Sequence, residues 1–199
     1  MKKRLIPFLV FCILSGALNA QPGLTLGVKA GLNFANITHA SDVNGSSRTG
    51  YMLGGFIAPR KKKLFGFRSE LVLSRQGYDF KTGTNTGNVN LDYLLLPQLV
   101  TINFTRFVQV QLGGQAAILL NARGDSSGTN TGSLLNYFSR FDYGLVGGIE
   151  VTPLKHFFFG ARMNISMNSV STGNQSSPWY VPSVYARNNL VQAYAGWKF

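Results

Sequence analysis

The feature that most constrains this chain is a strict alternation of apolar and polar residues in its first long segment. Between residues 24 and 34, every even position is apolar and every odd position is polar or glycine. A period of two residues is typical of a β-strand with one apolar and one polar face, because successive side chains point to opposite faces of a sheet. An amphipathic helix is excluded for this segment, since its apolar residues would recur every 3.6 residues.

The same alternation recurs along the chain and predicts eight strands. Six of them are regular, while residues 48–58 are rich in glycine and residues 89–104 are apolar on both faces and contain Pro97. The strands are longer than the five or six residues that are most common in soluble sheets, and they match the roughly nine to eleven that a tilted strand needs to cross a bilayer. A sheet exposed to lipid cannot leave an edge unpaired. The predicted fold is therefore an all-β, eight-stranded antiparallel up-and-down transmembrane β-barrel, apolar outside and polar inside.

The lengths of the connections give independent support to this fold. The predicted long, polar connections are residues 35–47, 79–88, 123–139 and 169–186, and the predicted short ones are residues 59–63, 105–106 and 152–155. Long and short connections alternate without exception, as they do in outer-membrane barrels with long extracellular loops and short periplasmic turns. Both ends of the barrel domain then lie on the periplasmic side.

The first twenty residues have the features of an export signal. Lys2, Lys3 and Arg4 precede an apolar run at residues 5–14 that is too short to cross a bilayer, and a small-residue segment ends at Ala20. We expect residues 1–20 to be cleaved and residues 21–199 to form the barrel domain. Cys12, the one cysteine of the chain, would be removed with the signal, which leaves no disulfide and no cysteine metal site.

A soluble eight-stranded barrel of the lipocalin kind is the main alternative, with an apolar interior and a polar outside. Charged residues make up 13% of the chain, whereas a soluble surface carries about 25–35%. The polar face of the strands is mostly Gly, Ser, Asn and Gln, and large aromatic residues concentrate near the strand ends of the other face. These properties favour the membrane barrel.

The formal net charge of +12 raises nucleic acid as a possible partner. Removal of the signal lowers the charge to +9, and seven of the remaining basic residues are predicted at the periplasmic end: Arg60, Lys61, Lys62, Lys63, Arg106, Lys155 and Lys198. No basic stripe with interleaved aromatic residues is present, so the sequence does not favour nucleic acid. The run Arg60, Lys61, Lys62 and Lys63 is predicted to form the first periplasmic turn, which either is simply solvated or contacts anionic inner-leaflet headgroups.

The last strand ends with a pattern that resembles the assembly signal of bacterial outer-membrane barrels. Trp197 and Phe199 share the apolar face of this strand. We therefore predict that the barrel insertion machinery recognises these two residues, and that the protein is localised to the bacterial outer membrane.

Three motifs and this terminal aromatic strand resemble the PorT-like outer-membrane β-barrel family of Bacteroidetes. The motifs are residues 27–34 (GVKAGLNF), 91–97 (LDYLLLP) and 142–148 (DYGLVGG). The sequence departs from the family at Leu95, where Glu is common, and at Thr101, where Lys is common. The resemblance implies a barrel, and the best-known role of the family is assistance to protein secretion.

An eight-stranded barrel is just wide enough for its own side chains, so charged residues on its polar face must pair inside it. We predict a lumenal charge network of Lys29, Arg68, Glu70, Asp142, Glu150 and Arg162, and a lumen closed to ions. His39 and Ser41 form a conceivable hydrolase pair in the first long connection, but we expect no catalytic site. We also expect no metal and no cofactor.

Five arginines are predicted at the extracellular strand ends: Arg48, Arg75, Arg123, Arg140 and Arg187. Guanidinium groups suit bidentate contact with phosphate, so this ring could hold the phosphates of lipopolysaccharide in the outer-membrane lipid, while simple snorkelling is the alternative. The sequence leaves three functions open: a non-enzymatic barrel with a structural or loop-mediated binding role, an accessory of secretion or envelope assembly with a protein partner, and a lipid-active enzyme.

Overall fold

The structure, a computed structural model, describes residues 23–38, 45–59, 64–82, 85–126, 129–169 and 187–199. The predicted signal segment lies outside the described residues. The strands are β1 Leu24–Thr38, β2 Gly45–Pro59, β3 Phe65–Thr82, β4 Asn85–Asn103, β5 Val108–Ser126, β6 Thr129–Ser133, β7 Phe141–Val151, β8 Phe157–Ser166 and β9 Arg187–Lys198. No helix among the described residues is long and apolar enough to cross a membrane.

Eight of these strands form a closed antiparallel ring. Each pairs with its neighbour in the order β1, β2, β3, β4, β5, β7, β8 and β9, and β9 returns to pair with β1 from Gly27↔Lys198 to Thr38↔Arg187. The short strand β6 stands outside the ring and pairs only with the end of β5. The predicted barrel is thus confirmed, and closure leaves no sheet edge in the ring unpaired.

The outer surface of the ring is apolar, and its interior holds both buried polar side chains and an apolar cluster, so the predicted polar interior is only part of what fills it. Leu26, Leu32 and Leu145 are exposed by more than half on the outside, whereas Asn33 and Gln192 are almost wholly buried. This orientation is the reverse of that in a lipocalin-like barrel, whose apolar side chains point inward. The outer surface therefore matches a hydrocarbon environment rather than water.

The two ends of the ring differ as predicted, but the strands reach further at one of them. The strand ends that the short connections join, Pro59 and Phe65, Asn103 and Val108, and Val151 and Phe157, all lie at one end, which we call the short-turn end. The opposite end is the long-loop end. The prediction of a loop at residues 79–88 is wrong for most of these residues. There β3 and β4 continue as a paired hairpin as far as Thr82↔Asn85.

This hairpin extends because its inward side chains are apolar. Tyr78, Phe80 and Val89 are buried in an apolar cluster with Leu134 and Phe138 from the connection that precedes β7. Burial of such side chains stabilises a strand by about 1.5–3 kcal/mol each, which holds the hairpin together beyond the main ring. The cluster begins at the long-loop end beside β3, β4 and β5 and continues to Phe56, Phe158 and Tyr194 near the short-turn end.

Candidate functional site

Six charged side chains meet inside the lumen near the short-turn end. We call them the charged layer: Lys29 of β1, Arg68 and Glu70 of β3, Glu150 of β7, Arg162 of β8 and Lys198 of β9. Each occupies the inward position of its strand, because the alternation that puts leucine and phenylalanine outside puts these residues inside. The side chains of Lys29, Glu70, Glu150 and Arg162 are completely shielded from solvent.

Glu70 holds one half of the charged layer. Lys29 Nζ donates to Glu70 Oε2 at 2.6 Å. Arg162 donates from Nη1 to the same oxygen at 2.7 Å and from Nη2 to Oε1 at 3.0 Å. A bidentate guanidinium–carboxylate pair fixes the geometry of both groups as well as their charge, so Glu70 ties β3 to β1 on one side and to β8 on the other.

Glu150 holds the other half in the same way. Arg68 donates from Nη1 to Oε2 at 2.6 Å and from Nη2 to Oε1 at 3.0 Å, and Lys198 Nζ donates to Oε1 at 2.7 Å. Gln111 joins the halves, since its Nε2 donates to Glu150 Oε2 at 3.1 Å and its Oε1 accepts from Arg162 Nη2 at 2.6 Å. The result is one continuous network from β1 across the lumen to β7.

The charged layer carries more positive than negative charge. Four basic side chains face two carboxylates, which is a formal charge of +2 when every group is ionised. Aromatic faces offset part of this excess: Arg68 Cζ lies 4.0 Å from the ring centroid of Phe56, and Lys29 Nζ lies 4.5 Å from that of Tyr194. Such contacts stabilise a cation by about 0.5–2 kcal/mol.

Phe158 completes this aromatic lining, and a glycine makes room for it. Its ring centroid is 5.6 Å from that of Phe56 and 6.3 Å from that of Tyr194, both in edge-on geometry, and Lys198 Nζ lies 4.8 Å from it. A Cβ at Gly196 would lie 2.4 Å from Phe158 Cζ. Only glycine permits this approach without displacing the ring.

The charged layer contains five of the six residues predicted for a lumenal network. Asp142 is the exception: it lies further toward the long-loop end, where its Oδ1 accepts from Ser166 Oγ at 2.7 Å. Sequence reasoning missed Lys198 and Gln111 as members. Both lie on the polar face of their strands, so the alternation contains the signal, although Lys198 is predicted only at the periplasmic end.

The two positions that depart from the PorT-like pattern both face the lumen. Leu95 and Thr101 are 1% and 4% exposed. Leu95 belongs to the apolar cluster, and Thr101 lines a cavity beside Arg68. Neither residue supplies a charge, and the charged layer is built without them.

Above the charged layer, toward the long-loop end, lies a layer of amides and hydroxyls. Asn33 Nδ2 donates to Ser74 Oγ at 2.8 Å, and Gln192 Nε2 donates to Asn33 Oδ1 at 2.9 Å. Gln76 and Asn164 extend this layer by bonds to Ser74 and Gln192. This amide layer lies beside the apolar cluster, which reaches the charged layer directly through Phe56, Phe158 and Tyr194.

Two of the five predicted surface arginines already hold carboxylates. Arg48 donates to Asp79 from Nη1 and to Asn90 Oδ1 from Nε at 3.1 Å. Arg75 donates to both oxygens of Asp92, at 2.7 and 3.0 Å. Arg75 also lies in the middle of β3 rather than at a strand end, because that strand continues to Thr82. These carboxylates compete with any phosphate for the same guanidinium groups.

The other three arginines lie at the long-loop end: Arg123 near the end of β5, Arg140 directly before β7 and Arg187 at the start of β9. Arg123 and Arg140 are exposed, and neither takes part in an ion pair within 4.0 Å in the part of the chain that the structure describes. Arg187 is the first residue of β9, and its side chain is not described.

The predicted assembly residues lie at the outer surface of the short-turn end. Trp197 and Phe199 are exposed by 47% and 66%, and the Phe199 amide donates to Leu26 O at 2.8 Å. His156 stacks on Trp197 with ring centroids 5.5 Å apart. The basic turn at residues 60–63 and the predicted pair His39 and Ser41 lie outside the described residues. Within the described ranges, no three His, Cys, Asp or Glu side chains are grouped so that they could hold a metal ion.

Comparison with known proteins supports the same architecture. Residues 19–172 match the family described as outer membrane protein beta-barrel domain. The chain is similar to Ail, the attachment invasion locus protein of Yersinia pestis, in a crystal structure with the heparin analogue sucrose octasulfate. The identity is 13%, 89% of this chain and 99% of that chain are covered, and the TM-score is 0.51.

A second crystal structure of Ail gives 14% identity, coverage of 90% of this chain and 100% of that chain, and a TM-score of 0.50. Neisserial surface protein A follows with 16% identity, coverage of 89% and 97%, and a TM-score of 0.49. No curated protein matches the sequence. Identities this low show the fold alone. The resemblance to PorT-like proteins, with its secretion role, stays a prediction, because the matching family is the broader barrel domain.

Proposed function

Since this chain belongs to the family of outer-membrane protein β-barrel domains, we propose that it is a non-enzymatic barrel with a closed lumen that acts through its outer surface and loops. It resides in the bacterial outer membrane. The charged layer is the observation that carries this proposal. Buried ion pairs fill a cross-section of the lumen. They make the barrel rigid, and they oppose both ion conduction and the entry of a substrate.

The space left inside the lumen supports closure. The cavity between the amide layer and the apolar cluster, lined by Gln76, Asp142 and Ser166 among others, measures about 20 Å³. This volume holds about one water molecule, which needs roughly 10–15 Å³ on the same measure. A hydrated ion entering from the long-loop end would have to displace the apolar cluster and then the charged layer. Both consist of buried side chains in the part of the chain that the structure describes.

Single-channel recording in planar bilayers tests the closed lumen. We expect the intact protein to show no steady steps, and a variant with Arg68→Ala and Glu150→Ala to conduct, because it removes one complete ion pair without changing the net charge. Heat-modifiable migration on a gel verifies that both proteins are folded barrels. Steady conductance of more than tens of picosiemens from the intact protein would refute the proposal.

A second role, contact with lipopolysaccharide phosphates, is supported by Arg123 and Arg140. Both are exposed at the long-loop end, which corresponds to the extracellular side if the short turns are periplasmic. Arg75 adds a guanidinium 5.1 Å from the outward ring of Tyr51, although it is paired to a carboxylate. We expect lipopolysaccharide retention during purification to fall when Arg123 and Arg140 are changed to Gln, and to change little for Arg48→Gln. Equal retention by all three proteins would remove this role.

A further inference from the structure

A cavity of about 60 Å³ opens at the short-turn end of the lumen, below the charged layer. Its size corresponds to about four to six water molecules, or the five heavy atoms of a tetrahedral oxyanion. Its polar lining residues are Thr25, Arg68, Thr101, Asn103, Gln109 and Lys198. Two of these are cations, and no acidic residue is among the lining residues. We propose that this cavity is a binding site for a phosphate group entering from the short-turn side.

Arg68 is the residue that points most directly to an anion. It is 1% exposed, and both terminal nitrogens of its guanidinium are used by Glu150. Its Nε is buried and has no hydrogen-bond partner among the described residues. A buried donor on a charged group costs free energy when it makes no hydrogen bond. Arg68 lines the cavity, so a phosphate oxygen bound within hydrogen-bond distance of Nε would satisfy this donor.

The charge balance of the lumen favours an anion at the same place. The charged layer holds a formal excess of two positive charges, and the aromatic faces offset only part of it. A phosphate beside Arg68 and Lys198 would reduce this excess with charge-assisted hydrogen bonds. The hydroxyls of Thr25 and Thr101 can donate to the remaining oxygens.

Pro59 lines the cavity, and the basic residues Arg60, Lys61, Lys62 and Lys63 follow it directly in the sequence. These four residues lie outside the described ranges, and the proposed site does not include them. The site shares Arg68 and Lys198 with the charged layer, but it lies on the short-turn side of that layer, so an anion can reach it without passing through the closed lumen.

Titration of the full chain in uncharged detergent micelles tests the site, with inorganic phosphate as the probe and chloride at matched ionic strength. We expect saturable shifts of the backbone amide resonances of Thr25, Thr101 and Asn103. Lys198→Gln should weaken phosphate binding about tenfold or more, since it removes one charged hydrogen bond. Ala58→Leu should weaken it as well, because Ala58 lines the cavity and the larger side chain fills it without changing the charge.

Lys155→Gln is the matched control, because Lys155 is exposed at the same end and does not line the cavity. It removes the same charge and should leave the affinity unchanged. Heat-modifiable migration establishes that each variant is folded. Shifts that do not saturate, or equal weakening by Lys155→Gln and Lys198→Gln, would overturn the site in favour of general electrostatic attraction.

The same titration separates the two sources of the phosphate group. In one arm, micelles are doped with phosphatidylglycerol and no phosphate is added. If the lipid shifts the same amide resonances, and added inorganic phosphate reverses those shifts, the site binds an inner-leaflet headgroup. Shifts with inorganic phosphate only assign it to free phosphate. An absence of shifts in both arms rejects the proposal.

Discussion

Glu70 is the residue whose loss should damage the charged layer most. It is buried, it accepts from Lys29 at 2.6 Å, and it holds Arg162 with two bonds. Glu70→Gln keeps the shape of the side chain and removes the charge. The formal cation excess of the layer then rises from +2 to +3, and Glu150 remains as its single carboxylate.

The expected cost follows from these distances. A pair of unit charges about 2.7 Å apart attracts by roughly 6 kcal/mol at an effective dielectric constant of about 20. The native network balances much of this attraction against the cost of burying the ions. The variant loses the attraction while Lys29 and Arg162 stay buried. Glu70→Gln should therefore lower the free energy of unfolding by about 3–5 kcal/mol, as for other buried pairs that lose one partner.

Urea unfolding in detergent micelles, followed by tryptophan fluorescence, measures this loss. Asp92→Asn is the control, because its pair with Arg75 is partly exposed and should contribute at most about 1 kcal/mol. Adding Lys29→Met to Glu70→Gln returns the excess charge to +2 and should recover about 1–3 kcal/mol. A Glu70→Gln variant as stable as Asp92→Asn, with no recovery in the double variant, would refute the reasoning.

Two further substitutions test the packing around these layers. Gly77→Ala should destabilise the barrel by about 1–3 kcal/mol, because Gly77 has a φ of 153° and a Cβ there would lie 2.0 Å from Val89 O. Gly114→Ala is the control. A Cβ at Gly114 would meet nothing closer than 3.9 Å, so this variant should be nearly neutral in the same urea titration. Phe158→Leu should lower the unfolding free energy by about 1–3 kcal/mol through lost ring and cation contacts. Phe159→Leu changes an exposed outward ring and should cost less than about 0.5 kcal/mol, so equal losses would contradict the lumenal role of Phe158.

Much of the ring could be predicted because each strand carries its own two-faced pattern. The extension of β3 could not be predicted in the same way, since Asp79, Lys81 and the glycines near them are typical of a loop. Its support comes from Leu134 and Phe138, more than fifty residues away in sequence. The short strand β6 has a similar origin, because it exists only as a partner of the end of β5.

The register irregularity at Asp92/Tyr93 shows a second limit of sequence reasoning. Opposite this point, β5 contains one extra residue, Leu120, between Leu119 and Asn121. The lumen-facing residues of β5 therefore have odd numbers up to Leu119 and even numbers from Ala122 onward. A β-bulge of this kind depends on the strand that it pairs with. The alternation of β5 by itself predicts no change of face.

The alternation of the sequence by itself determined the number of ring strands, which of their faces is apolar, and which charged residues point into the lumen. These are local properties, since one residue's parity sets its side of the sheet. How those charges pair depends on the tertiary structure. In it, Glu70 pairs with Lys29 and Arg162, and Glu150 pairs with Arg68 and Lys198. Asp142 lies away from both groups. Pairing depends on the height of each residue along the barrel axis, and only the register of the eight closed strands sets that height.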